Sequence, residues 1–199
     1  MSIIIEDGGG TGKRAKVDAN NRLFVNSTAE SLIDHATDYG ERYNINTGNV
    51  TLNSTTESAL LYVKNNEDDD LVITSLVYNI GSATSTDNIL VDVYRNPTSG
   101  TIVSGATNVT AVSNMNYGSN KTLLVNAYVG AQSLTQTGGT ISVKSIIREK
   151  TRAVVSLGAI HLPKGSSLAV TVTPPTGNTG VLVNIAASCF RYTSEVAGE

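Results

Sequence analysis

Apolar positions recur every second residue through much of the chain, most clearly from Arg152 to Tyr192. Three runs rich in β-branched residues are cut there by Pro163–Gly165 and by the PPTGNTG segment at 174–180. In the middle run Leu168, Val170 and Val172 alternate with Ala169, Thr171 and Thr173, the period of two that lets a strand bury one face. In the last run Val181, Val183, Ile185, Ala187 and Cys189 share one face, and the other face carries Leu182, Asn184, Ala186 and Ser188. A strand that is small or apolar on both sides belongs in the centre of a sheet. Proline cannot donate to a ladder and glycine accepts positive φ, so the two punctuating clusters are turns. These three runs are expected to form an antiparallel meander.

The same pattern predicts further strands at 43–52, 58–66, 70–80, 88–96, 122–129 and 140–149. Short strands with turn clusters and no intervening helices indicate an all-β, antiparallel, jelly-roll-like β-sandwich over residues 31–199, preceded by an extended N-terminal arm at 1–30. ESLIDHATDYGER, residues 30–42, permits one or two helical turns ended by Gly40, or a loop. Both Leu60, Leu61, Val63 and Leu123, Leu124, Val125 place apolar residues on two faces, which fits either a subunit interface or a two-sheet core. NNEDDD, residues 65–70, reads as a solvated hairpin tip, since the spacing of a calcium loop is missing. A long polar excursion runs from Asn96 to Leu123, and a shorter one covers 130–139. Excursions of that length are commonly contact-making, so they and the arm are where partners are expected to touch.

Composition narrows the function. Charged residues make up 16% of the 199-residue chain and the net charge is −3, a field too weak to drive binding to nucleic acid or to an anionic membrane. The single cysteine, Cys189, has no intramolecular partner and sits in an apolar run, so a buried structural thiol is expected. The N-terminus has neither a signal-peptide core nor a membrane span, which indicates a soluble protein made in a reducing cytoplasm. GGGTGK near the start lacks the spacing of a phosphate loop, because Asp7 stands where the first glycine belongs and Arg14 follows Lys13.

Catalysis is not indicated. The only histidines are His35, in the ambiguous helical segment, and His161, in a strand beside a turn, and nothing in the sequence completes a triad around either. No nucleophile elbow, HExxH pair or CxxC occurs, and no cofactor, metal or small-molecule substrate is called for.

The arm GGGTGKRAKVDANNRLFV, the pair YNINTGNVTLNSTTESALLYVKNNEDDDLVI, the segment RNPTSGTIVSGA, the stretch NYGSNKTLLVNAYVGA and the hairpin LPKGSSLAVTVTPPTGNT together resemble virion structural proteins of tailed bacteriophages, of the capsid-decoration or cement kind. The resemblance implies a non-enzymatic, jelly-roll-like, commonly trimeric protein located in the virion and assembled in the host cytoplasm. Its implied partner is the major capsid protein or another virion protein. On that reading the arm docks on the shell or on a neighbouring copy, with Ile3, Ile4 and Ile5 adding a strand to an exposed edge and Lys13, Arg14, Lys16 and Arg22 meeting acidic groups. Asn116, Tyr117, Asn120 and Lys121, in the long excursion, form a second candidate contact surface. The alternative is a neck, tail or fibre module that joins virion components or binds a host-surface glycan, with Tyr117 stacking on a sugar.

Overall fold

The structure is a computed structural model that describes residues 31–81, 88–104, 107–108, 111–148, 151–177 and 180–193, together with the backbone of two short strands near the N-terminus. The chain divides into two compact units, residues 1–31 and 32–199. In the first, β1 (Lys16–Val17) pairs antiparallel with β2 (Leu23–Phe24).

The second unit is a two-sheet sandwich. Its eight longest-range strands are β3 (Arg42–Leu52), β4 (Ser58–Asn65), β5 (Asp70–Ile80), β6 (Asn88–Arg95), and, after an insertion, β10 (Thr140–Arg148), β11 (Arg152–Leu162), β12 (Ser167–Thr173) and β13 (Val181–Tyr192). The insertion carries α2 (Thr101–Ser104), β7 (Thr107–Asn108), β8 (Ala111–Asn114) and β9 (Val125–Val129). One sheet has the order β10-β6-β12-β4-β9-β7 and the other β11-β5-β13-β3-β8, with every pair antiparallel. First pairs with last throughout: β3 with β13, β4 with β12, β5 with β11, β6 with β10. This is a jelly roll, an antiparallel ribbon rolled so that β3 to β6, and again β10 to β13, alternate between the sheets.

The meander expected from the last three runs does not form. β11 and β13 lie in one sheet and β12 in the other, because each pairs with an earlier strand instead of with its sequence neighbour. Alternation specifies which face of a strand is buried, not which strand lies beside it. The expectation that the last run is central holds, since β13 sits between β5 and β3. Val181, Val183, Ile185, Ala187 and Cys189 all enter the core. The crowded leucines of β4 also resolve into one core: Leu61 pairs with Val170 and Ala59 with Thr171, so the ladder skips Leu60 and both leucines are buried.

The loop at 65–70 is neither a hairpin tip nor fully solvated. It carries the chain from one sheet to the other across the end of the core, so its polar groups are used internally. Asn65 is buried and its Nδ2 donates to the carbonyls of Asp69 (2.9 Å) and Leu162 (2.8 Å), while its Oδ1 accepts from the Glu67 amide (2.9 Å).

Each outer sheet face is partly covered by a helix. α1 (Leu32–Asp38) packs Ala36 and Ile33 against Val72 and Phe190, and α2 packs Ile102 against Ala59, Tyr62 and Ala169. The second cover explains why Ala169, expected on the outward face of β12, is buried; Thr171, on the same face, is buried beside Glu57, to which its Oγ1 donates at 2.7 Å.

Candidate functional site

Two places combine charge, burial and concavity. The first is a buried ion network at the end of the sandwich where α1 meets β3. Gly40, at φ 70°, stops α1: the Glu41 amide donates to the Ala36 carbonyl (2.7 Å) and the Gly40 amide to the Thr37 carbonyl (3.0 Å). This is a Schellman closure, which needs a residue tolerant of positive φ, and it turns Glu41 inward. The carboxylate of Glu41, 1% exposed, accepts from Arg191 Nε and Nη2, both at 2.8 Å, and from Lys121 Nζ at 2.6 Å. Arg191 Nη1 also reaches Glu67 Oε2 at 3.3 Å, and Glu67 Oε1 accepts from the Leu124 amide at 2.6 Å. Burial acts to raise the Glu41 pKa, but the hydrogen bonds and charges of Arg191 and Lys121 together outweigh it and hold the carboxyl below its ordinary value. Burial, with Glu41 adding to it, pushes the neighbouring Tyr43 phenol up to about 12. The network ties four segments together. Its chemistry is structural, because both carboxylates are consumed by partners.

The second place is the opposite edge, where β10 and β11 form the free margins of the two sheets. A cleft of about 340 Å³ opens between them, with apolar walls from Val93, Ile160, Leu162 and Leu168 and a polar rim from Arg95 and Ser142. It adjoins a polar hollow of about 530 Å³ lined by Asn96, Thr98, Gly139 and Thr140, and Arg95 and Ser142 belong to both. The β10–β6 ladder is irregular between Ile141 and Val143, so Ser142 bulges at this margin, and its Oγ donates to the Val93 carbonyl at 3.1 Å. His161 also borders the cleft. Its Nδ1 lies 3.2 Å from Asp70 Oδ2 and its ring is 6.2 Å from that of Tyr192, the partly exposed, locally bonded histidine expected from the sequence. None of the cleft serines, Ser142, Ser166 or Ser167, hydrogen-bonds His161.

The expected site residues fall into two groups. Ile3, Ile4, Ile5, Lys13, Arg14 and Arg22 lie outside the described residues, and Lys16 is described only as backbone in β1. Of the excursion residues, Lys121 is committed to Glu41, and Asn116 donates from Nδ2 to the Asp38 carbonyl at 3.1 Å. Tyr117 is 92% exposed and Asn120 is exposed, and Lys121 is exposed as well, but its ammonium is held by Glu41. Cys189 is buried, as expected, and burial pushes its thiol up to about 12. Glu41, Glu67, Arg95 and Arg191 were not singled out by sequence. Arg191 was legible in principle, since it shares the parity of the core residues of β13, where a cation requires a buried partner. Arg95 carries no comparable signal at the end of a strand.

Among the described residues no cluster of three or more His, Cys, Asp or Glu could hold a metal ion, and no helix is long and apolar enough to cross a membrane. The sequence matches no protein-family model and no curated protein.

Proposed function

We propose that the protein is a non-enzymatic structural component of a bacteriophage virion, a homotrimer that decorates or cements the capsid shell by means of a rigid jelly roll and an ordering N-terminal arm. The observation that carries this reading is the inequality of the two sandwich edges. One edge is extended by the chain's own insertion, with β8 added to β3 and β9 and β7 added to β4, although Val112 and Leu124 stay exposed there. The other ends in β10 and β11 and exposes Ile146 (68%) and Val154 (58%), with Leu90 and Ile141 beside them. Monomeric proteins blunt such margins with charge or cover them, so an apolar open edge supports packing against another subunit. Attachment in many copies by a rigid body and a second segment raises avidity without one large patch.

The resemblance noted above supplies the virion setting, and the jelly-roll order supports it, since that architecture recurs in viral shell proteins. Light scattering on the full chain and on a form lacking residues 1–25 tests the assembly. A trimer that persists without the arm places the interface on the sandwich and frees the arm for the shell. A monomeric full-length protein overturns the trimer. A form lacking residues 2–22 that still occupies the particle fully overturns the docking role of the arm.

Host-glycan binding is a second reading, favoured by the outward Tyr117 ring. Saturable binding to a glycan array that is lost in Tyr117→Ala supports it, and no binding to any glycan removes it.

A further inference from the structure

The cleft and hollow at the β10 margin, on the same side as the edge proposed above to meet another subunit, carry an inference of their own. We propose that they form a binding site for an extended acidic peptide segment of a partner protein, with an aliphatic side chain in the cleft and a carboxylate on Arg95.

Three observations point to this occupant. The guanidinium of Arg95 has no hydrogen-bond or ion-pair partner among the described residues, although its residue borders both compartments. Other described cations close to the sandwich ends are engaged: Lys164 with Asp68, Arg191 with Glu41 and Glu67, Lys121 with Glu41. A free guanidinium at the mouth of an apolar cleft matches a carboxylate, which it receives through two parallel N–H bonds. Next, the two compartments differ in character, one walled by Val93, Ile160, Leu162 and Leu168 and the other by Asn96, Thr98 and Thr140. An extended peptide has the same division, with apolar side chains on one side of a polar backbone. Finally, the Ser142 bulge interrupts regular pairing at this point of an edge strand, and bulges at edges commonly accompany sites where the strand meets a ligand.

Other anions fit less well. Among the described residues the cleft and hollow hold no Tyr, Trp or Phe ring on which a sugar would stack, and the His161 ring is engaged with Asp70 and Tyr192; a single unpaired cation is a poor match for phosphate. A fatty acid would leave the polar hollow without a ligand. In an extended segment residues two apart point the same way, so the acidic and aliphatic residues are expected at that spacing.

The test uses the full chain and the fluorescently labelled peptide acetyl-TESVT-amide, with acetyl-TQSVT-amide as its neutral counterpart. The expected result is saturable binding of the first peptide, weakened roughly tenfold or more both by the glutamine peptide and by Arg95→Gln. Thr140→Trp, on an exposed position at the rim, is expected to block the site with no change in melting temperature. Equal affinity for the two peptides, or binding unaffected by Arg95→Gln, overturns the proposal, as does the absence of saturable binding to the wild-type chain. Binding of sialyllactose that requires Arg95, in place of peptide, overturns it in favour of an acidic sugar.

Discussion

The two edges of the sandwich face the same physical problem and meet it differently. Unpaired strand margins and the apolar residues beside them need cover. At the β3–β4 side the chain supplies part of it from its own insertion, and polar residues there find partners within the chain: Lys121 holds Glu41, Glu67 holds the Leu124 amide, and Asn114 Nδ2 donates to the Gly40 carbonyl at 2.7 Å. At the β10–β11 side no described segment plays that part, and Ile146 and Val154 remain exposed. Similar strands thus end as core on one side and as surface on the other. Burial here is a property of neighbours, not of the residues alone.

The sharpest way to break the side that carries the insertion is to remove the cation at the centre of its ion network. Arg191→Met leaves the Glu41 carboxylate buried beside Lys121 alone, and a loss of about 3–5 kcal/mol in urea unfolding at pH 7 is expected. Retained stability would show that Lys121 suffices. Next in size is Gly130→Ala. A Cβ there would stand 1.7 Å from the Ala59 carbonyl oxygen, so β9 must shift off β4, at a cost of about 3 kcal/mol or more. A melting temperature unchanged by this substitution would mean that the insertion is not needed to hold that margin.

The pH profile tests the same edge. The Glu41 pKa is lower in the folded protein than its ordinary 4.5, so its contribution is present above that value and is lost as pH falls through the folded pKa. Tyr43 and Cys189 are pushed the other way, from 10 and 9 respectively to about 12. Their contribution is present below pH 9 and is lost as pH rises toward 12, because the unfolded chain ionises first. Denaturant titrations across both ranges should show stability falling at each end. The acid loss should be smaller in Glu41→Gln, with the Asp68 carboxyl, held below its ordinary value by Lys164, left to contribute.

A smaller effect comes from the core that both edges enclose. The Tyr78 hydroxyl is buried without a hydrogen-bond partner among the described residues, and Tyr78→Phe is expected to raise stability by about 1 kcal/mol. Least of all should the open edge matter to the fold: Ile146→Lys with Val154→Lys is expected to change unfolding free energy by only about 0.5 kcal/mol. The same pair should lower the mass in solution if that edge joins subunits, which separates assembly from folding.

Periodicity along the chain determined the eight long strands and the burial of Cys189, and it left a helical turn ended by Gly40 as one of two readings, because a period of two and a positive-φ glycine act over a few neighbouring residues; β7 and β8, inside a polar excursion, carry no such pattern. The division into sheets was not legible. β11, β12 and β13 have the same alternation whether they form a meander or alternate between sheets, and only the earlier strands competing for their margins decide. The candidate sites followed the same rule. Lys121 and Tyr117 look alike as polar-loop residues, yet one is drawn into an ion pair 80 positions away and the other stands in solvent. Arg95 draws its interest from a cleft assembled from four strands far apart in sequence. Local geometry is written in adjacent residues, whereas neighbours, burial of charge and concavity arise from contacts between distant segments, and those only the tertiary structure decides.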